Sequence, residues 1–276
     1  VESGLNATHP VTVGDHVIFE PEGRASRGVI DEIYDRKNYM IRKSPRKPGH
    51  VHIVAANVDQ AAVVATVAYP RVKQGFIDRF LVTAQAYDIQ PLIILNKDDC
   101  YSDKQKANRD TWAELYRGLG YQVCITSAES GLGLEALREQ LYGTTTLMNG
   151  HSGVGKSTLL NALYPHLNLR EGGVSKTTQK GQHTTTFSRM YPVDGEQTYI
   201  IDTPGIKEFG LVGFEAYEIS HFFPEMAPYL NACKFNNCTH VHEPGCAVKK
   251  ALEAGKIDQN RYDSYIRIVQ SLEKVS

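Results

Sequence analysis

Hydrophobic and polar residues alternate in short runs over the first 56 positions: residues 11–19 around Gly14-Asp15, then 27–33, 38–43 and 51–56. Pro, Gly, Asp and Asn fill the gaps, so the pattern predicts a small all-β barrel or sandwich. A five-stranded barrel needs more chain, and a further strand upstream of Val1 is expected. From Asp59 the period changes. Residues 61–68 are continuously apolar, as in a strand buried on both faces. Residues 74–87 place Ile77, Leu81 and Ala84 at helical spacing. A strand over 91–95 follows, then a helix over 110–119 with Trp112, Leu115, Tyr116 and Leu119 on one side and Gly120 as its stop. A strand over 122–126 comes next, and Ser130 is placed to cap a helix carrying Leu134, Leu137 and Leu141. A strand over 145–148, a helix over 156–163 and a hairpin of 189–193 with 196–201 around Asp194-Gly195 complete the alternation. Such alternation predicts a mostly parallel sheet covered on both faces. After Gly210 the strands stop, and two helices are expected over 247–254 and 262–273. The polar, aperiodic stretch 168–183 predicts a long functional loop.

Four motifs fall at predicted strand ends. Gly150-His151-Ser152-Gly153-Val154-Gly155-Lys156-Ser157, followed by Thr158, fits G-x-x-x-x-G-K-[ST] between a strand and a helix. Its glycines let backbone N–H groups face phosphate oxygens, and the helix N-terminus favours negative charge. Lys156 would reach the β- and γ-phosphates, and Ser157 would ligate Mg²⁺. His151 receives no individual role. Asp202 ends a strand in Ile200-Ile201-Asp202-Thr203-Pro204-Gly205, where its carboxylate can hold Mg²⁺ through water and Gly205 can present its N–H to the γ-phosphate. Asn96-Lys97-Asp98-Asp99 matches the guanine-reading N-K-x-D element of GTPases. The Asp99 carboxylate can accept from guanine N1–H and from the exocyclic amino group that adenine lacks. Ser127-Ala128 resembles the supporting element that contacts the guanine carbonyl. The order is unusual, because the base-reading elements precede the phosphate loop. That is a circular permutation, which a fold tolerates when its native termini are close and exposed.

Composition sharpens this picture in three places. With 30 Lys+Arg against 31 Asp+Glu in 276 residues, the net charge of -1 excludes a uniformly basic nucleic-acid coat and an acidic tail. Yet Arg36, Lys37, Arg42, Lys43, Arg46 and Lys47 place six positive charges within twelve residues, with no acid among them. On a small β barrel, such a run near Tyr39 and His50 reads as RNA binding. Three of the five cysteines cluster: Cys233, Cys238 and Cys246, with His240 and His242 between them. Three thiolates and one imidazole suit a closed tetrahedral Zn²⁺ site, with His240 and His242 competing for the fourth place. No apolar run of about 18 residues and no secretory leader is apparent, so a cytoplasmic protein is expected.

Taken together, these motifs closely resemble the ribosome small subunit-dependent GTPase A family over nearly the whole chain. The resemblance implies an α/β fold: a circularly permuted P-loop GTPase domain (57–211) between an N-terminal OB-type β-barrel (1–56) and a C-terminal helical zinc-binding module (212–276). It favours His240 over His242 as the fourth metal ligand. It also implies GTP hydrolysis, stimulated by the small ribosomal subunit, during late assembly of that subunit. GTP/GDP, the small subunit and its rRNA are the implied partners, with Mg²⁺ and one structural Zn²⁺, and a monomer is expected. Where many GTPases carry a water-positioning Gln after Asp-x-x-Gly, this chain has Ile206. Gly181-Gln182-His183-Thr184-Thr185 looks like the family's G-x-H-T-T element, which makes His183 the candidate catalytic group and Thr184 or Thr185 the candidate Mg²⁺ ligand. Two other readings stay open: a non-catalytic GTP-sensing RNA-binding adaptor, and an ATP-using P-loop kinase, which Asn96–Asp99 opposes.

Overall fold

A computed structural model describes residues 10–23, 28–43, 50–169, 188–195, 197–203 and 209–273. Its centre is a six-stranded sheet in the order β7-β6-β5-β8-β10-β9. The strands are β5 (Gln60–Ala65), β6 (Gln90–Leu95), β7 (Gln122–Ile125), β8 (Thr145–Gly150), β9 (Arg189–Pro192) and β10 (Tyr199–Asp202). All neighbours pair in parallel except β9, which is antiparallel to β10. β5 is buried at every position, as its unbroken apolar run requires. Helices α1 (Gln74–Ala86), α2 (Asp103–Gly118), α3 (Leu134–Leu141) and α4 (Lys156–Leu163) connect the strands. One apolar core joins the sheet to Phe80, Leu81, Trp112, Tyr116, Leu137 and Leu160.

Three local expectations are corrected. Helix α2 starts at Asp103, earlier than residue 110, because Ser102 and Gln105 form a capping box ahead of a polar stretch with no apolar period. Ser130 does not cap α3: its N–H donates to Ser127 Oγ (3.0 Å), and Gly133 at φ +68° precedes the helix. The hairpin after β9 closes through Val193 N–H to Thr198 O (3.1 Å), wider than a two-residue Asp-Gly turn.

Towards the N-terminus, β1 (Val17–Pro21) pairs with β2 (Gly28–Ile33), and β3 (Tyr39–Lys43) pairs with β4 (Val51–Ala56), both antiparallel. Among the described residues these are two separate ladders. The segment before β1 ties them together: Ala56 N–H donates to Val13 O, Tyr34 N–H to His16 O, and Thr12 Oγ1 to Ile53 O. Gly14, at φ +93°, makes this crossing possible, since a Cβ there would lie 2.1 Å from Ala56 O.

Beyond residue 209, short 3-10 segments and helices α5 (Ala247–Glu253) and α6 (Gln259–Glu273) form a second apolar core that includes Val82 of α1. The joint with α1 is ionic. Arg261 of α6 is 1% exposed and donates to Asp78 Oδ1 (2.7 Å) and to both Glu225 carboxylate oxygens (2.7 and 3.1 Å). Tyr116 OH donates to the same Asp78 oxygen (2.7 Å), and the guanidinium lies 4.6 Å from the Phe223 ring centroid. No helix among the described residues is long and apolar enough to cross a membrane. Removing one partner of a buried ion pair strands the other, so Arg261→Leu should cost about 3–5 kcal/mol of stability, measured by urea unfolding. Asp258→Ala, whose carboxylate only caps Arg261 N–H at 3.1 Å, should cost about 1 kcal/mol.

Candidate nucleotide and metal sites

Parallel pairing brings the C-terminal ends of β6, β7, β8 and β10 to one edge of the sheet, where open α/β sheets bind ligands. All four predicted motifs therefore meet. Gly150 ends β8, and a Cβ there would meet Val64 O at 2.7 Å. The loop then turns through Gly153 (φ +86°) and Gly155 (φ +87°) into α4, which starts at Lys156. Ser152 and Gly153 are exposed, Val154 is buried, and Ser157 and Thr158 lie half-buried in the first turn. The Lys156 ammonium donates to Thr203 O (2.7 Å) and pairs with the Asp202 carboxylate, so it sits between the phosphate loop and the end of β10. Thr203 Oγ1 donates back to Met148 O (2.9 Å). The His151 ring, assigned no role from sequence, lies 4.0 Å from the Phe76 ring.

Asn96, 1% exposed, is shared between the two halves of the site. Its Nδ2 donates to Val154 O in the phosphate loop (3.0 Å), and its Oδ1 accepts from Thr126 Oγ1 (2.9 Å). Its carbonyl accepts from Tyr101 OH (2.6 Å). Gly155 is obligatory beside it, because a Cβ would come within 2.8 Å of Asn96 Nδ2. Lys97 takes a left-handed conformation (φ +69°), and its ammonium donates to Tyr69 O (2.8 Å). Asp98 is buried, with its carboxylate paired to Arg109, so it serves the fold of the loop. Asp99 stays exposed. Its carboxylate accepts from Ser127 Oγ (2.5 Å) and Cys100 Sγ (3.0 Å), and the Ser127 hydrogen bond holds it below the usual carboxylate range. Ala128, next to Ser127, packs half-buried against the core. Thr126, Tyr101 and Arg109 were invisible as site residues in the sequence. Their part is to fix the motif, and only their proximity in the fold reveals it.

The second site lies in the C-terminal core. The ligand atoms of Cys233, Cys238, His240 and Cys246 all lie within 4.8 Å of one another, so the four can hold a metal ion. His240 Nδ1 is 3.3 Å from Cys246 Sγ and 3.6 Å from Cys233 Sγ. His242, the rival ligand, is exposed and outside the cluster. Burial and the neighbouring thiols push the Cys238 thiol up to about 12, so a cation is what would let these sulfurs meet as thiolates. The turn is fixed from outside. Glu243 accepts from the Thr239 hydroxyl (2.7 Å) and from the N–H groups of Thr239, Val241 and His242 (2.6, 3.1 and 3.1 Å); against burial, which raises it, the Thr239 hydroxyl bond foremost and then the Thr239 and Val241 N–H bonds hold its carboxyl down at about 2. Tyr262 OH donates to His240 O (2.6 Å) and Tyr265 OH to Thr239 O (2.5 Å).

Residues 33–212 match the model of the RsgA GTPase family. The chain belongs to that family. It is 48% identical over 273 residues to the small ribosomal subunit biogenesis GTPase RsgA of Bacteroides fragilis, covering 98% of this chain and 87% of the relative. It is 45% identical over 270 residues to the Porphyromonas gingivalis RsgA, with 97% and 86% covered. YjeQ of Thermotoga maritima superposes with a TM-score of 0.75 at 37% identity, covering 95% of this chain and 84% of YjeQ. YloQ, described as a circularly permuted GTPase, gives 0.70 at 31% identity, with 99% and 85% covered. As a member of the RsgA GTPases, this chain is a circularly permuted GTPase, with the base-reading strands placed before the phosphate loop.

His183, Thr184, Thr185, Gly205, Arg46 and Lys47 lie outside the described residues, as does the side chain of Lys43. Arg36 departs from the RNA-facing expectation. Its side chain is 8% exposed and forks onto Asp15 (2.6 and 2.8 Å), which holds the segment before β1 in place. Lys37 is exposed but pairs with Asp59, and Arg42 is half-buried on β3. Within the nucleotide cleft, Asn96→Ala should raise the Kd for GDP about tenfold or more in titration calorimetry. It releases Val154 O and leaves the Thr126 hydroxyl buried without its acceptor, a loss of about 1–3 kcal/mol.

Proposed function

We propose that this GTPase binds the small ribosomal subunit and hydrolyses GTP during late maturation of that subunit, with the subunit stimulating turnover. Supporting this reading are the curated relatives, which carry the name of small-subunit biogenesis GTPases over almost the whole chain. The observation that carries it is the Asn96 amide bridging the base-reading and phosphate loops at one sheet edge. In this reading Asp99, Ser127 and Ala128 select guanine, and Asn96 and Lys97 set the distance between base and phosphates. Gly150–Thr158 cradle the phosphates, with Lys156 moving from Asp202 and Thr203 onto phosphate oxygens. Ser157, Asp202 and Thr184 or Thr185 would hold Mg²⁺, with Gly205 at the γ-phosphate. His183 would orient the attacking water, since Ile206 cannot. The Cys233–Cys238–His240–Cys246 cluster would take one structural Zn²⁺. Lys37, Arg42, Lys43, Arg46 and Lys47 would face rRNA, in a monomeric cytoplasmic protein divided at 56/57 and 211/212.

The route out of the cleft gives hydrolysis something to act on. Phe209 packs edge-on against Phe80 of α1 (ring centroids 5.5 Å apart). Gly210 N–H donates to Ile41 O on β3 (3.1 Å), and Tyr87 OH bridges Gly210 O and Val212 N–H (3.1 and 3.3 Å). The chain leaving Asp202 is thus clamped to the N-terminal ladder before it enters the metal-binding segment. Loss of the γ-phosphate would shift this clamp and, with it, the N-terminal ladder that carries the RNA-facing basic residues.

Three outcomes test the reading. Small-subunit affinity, measured by co-sedimentation, should be higher with a nonhydrolysable GTP analogue than with GDP; equal affinities contradict the coupling. His183→Ala should slow stimulated turnover by about 10²–10⁴-fold while the Kd for GTP changes little, and unchanged turnover removes His183 from the mechanism. Metal analysis of reduced protein should find about one zinc per chain, lost in Cys238→Ser, as a four-ligand structural site requires.

A further inference from the structure

We infer that helix α1 braces the phosphate loop against the metal-binding turn, so that guanine-nucleotide affinity depends on the metal module being seated. The inference rests on the guanine-nucleotide reading of the cleft. It concerns a different route from the one through residues 209–212.

The first contact is at the start of α1. Phe76 lies in its first turn, and its ring centroid is 4.0 Å from that of His151 inside the phosphate loop. The connection from β5 adds two supports. Pro70 packs beside Gly153, where a Cβ would lie 3.6 Å from its ring, and Tyr69 O holds the Lys97 ammonium at 2.8 Å. The loop that would cradle the phosphates therefore leans on residues 69–76 on one side and on Asn96 on the other.

The second contact is on the face of α1 turned to α6. Asp78, two residues after Phe76, is fully buried and bound to Arg261 (2.7 Å). Arg79 Nη2 donates to Ser271 Oγ (2.8 Å). Gly75 lets the helices close, since a Cβ there would already touch Ser264 Oγ at 3.4 Å. The third contact runs from α6 to the metal turn through the Tyr262 and Tyr265 hydroxyls, which hold the carbonyls of His240 and Thr239 (2.6 and 2.5 Å). Each link is a packed or hydrogen-bonded contact.

Phosphate binding is sensitive to small misplacements of donors, so loosening the metal turn would loosen the loop. Linkage is reciprocal: a bound nucleotide should retain the metal by the same factor. The route is distinguished by its indifference to the γ-phosphate. Most of the phosphate loop would cradle the phosphates that GDP and GTP share, whereas Gly205, after Asp202, would meet the γ-phosphate alone.

The test uses the full chain with saturating Mg²⁺. Affinities for a fluorescent GDP and a fluorescent nonhydrolysable GTP analogue are compared before and after removal of the thiolate-bound metal with a zinc-selective chelator. In the wild type, metal removal should raise both Kd values by a common factor of about five or more. Phe76→Ala should bind both nucleotides more weakly while still holding metal, and should lose most of the response to metal removal. Wild-type affinities unchanged by stripping, a response confined to the GTP analogue, or a full response in Phe76→Ala would each overturn the proposal. Should stripping unfold the chain, Tyr262→Phe decides: it should retain metal yet weaken both nucleotides together, and unchanged affinities would overturn the brace. A wild-type protein that binds neither nucleotide would instead sink the underlying reading of the cleft.

Discussion

The amide of Asn96 is the interaction on which the nucleotide cleft depends. A buried asparagine offers two donors and an acceptor and is costly unless these are used. Here one side faces the phosphate loop at Val154 O and the other faces Thr126, while the backbone carbonyl takes the Tyr101 hydroxyl. The spacing between a base-reading carboxylate at Asp99 and a phosphate-binding loop at Gly150–Ser157 is thereby set by one side chain. This explains how a permuted chain keeps the geometry of a GTPase. Strands β6 and β8 both flank β5, whichever comes first in the sequence, and the Asn96 amide crosses above the end of β5. β5 can be crossed because Gly150 brings no side chain to Val64 O.

A second constraint sets the position of the C-terminal part. Burying a guanidinium is unfavourable unless its donors are matched, and Arg261 matches them with two carboxylates and an aromatic face. Hydrophobic packing alone would let α6 slide along α1. The forked contact to Glu225 and the single contact to Asp78 fix its rotation and register. Permutation makes this consequential: the chain runs from the Asp202 end of the sheet into the metal-binding part, so a catalytic-edge segment and an ionic joint both connect the same two bodies.

Much of this was legible in the sequence because the relevant signals are local. Continuous apolar runs marked β5 and β6, glycine spacing marked the phosphate loop, and cysteine spacing marked the metal cluster. Helix α4 appeared at its expected residues. What was hidden depends on contacts distant in the chain. The first turns of α2 are polar and carry no period, so only the Ser102–Gln105 box announces them. Asp98 looked like part of the base-reading element, yet Arg109, eleven residues on, draws it into the fold. Arg36 opens a run of positive charge that holds no acid of its own, although Asp35 precedes it directly. Its acid is Asp15, brought beside it by the segment before β1, and the pair is buried. His151 was unremarkable until Phe76 was placed against it.

In the proposed function, the base-and-phosphate cleft held together by Asn96 works as a subunit-dependent switch. The most direct measurement is steady-state GTP hydrolysis by the full chain alone, with isolated small subunits and with isolated large subunits. Slow turnover alone, marked stimulation by small subunits and none by large subunits are expected. Equal rates in all three conditions, or stimulation by large subunits only, would contradict this function.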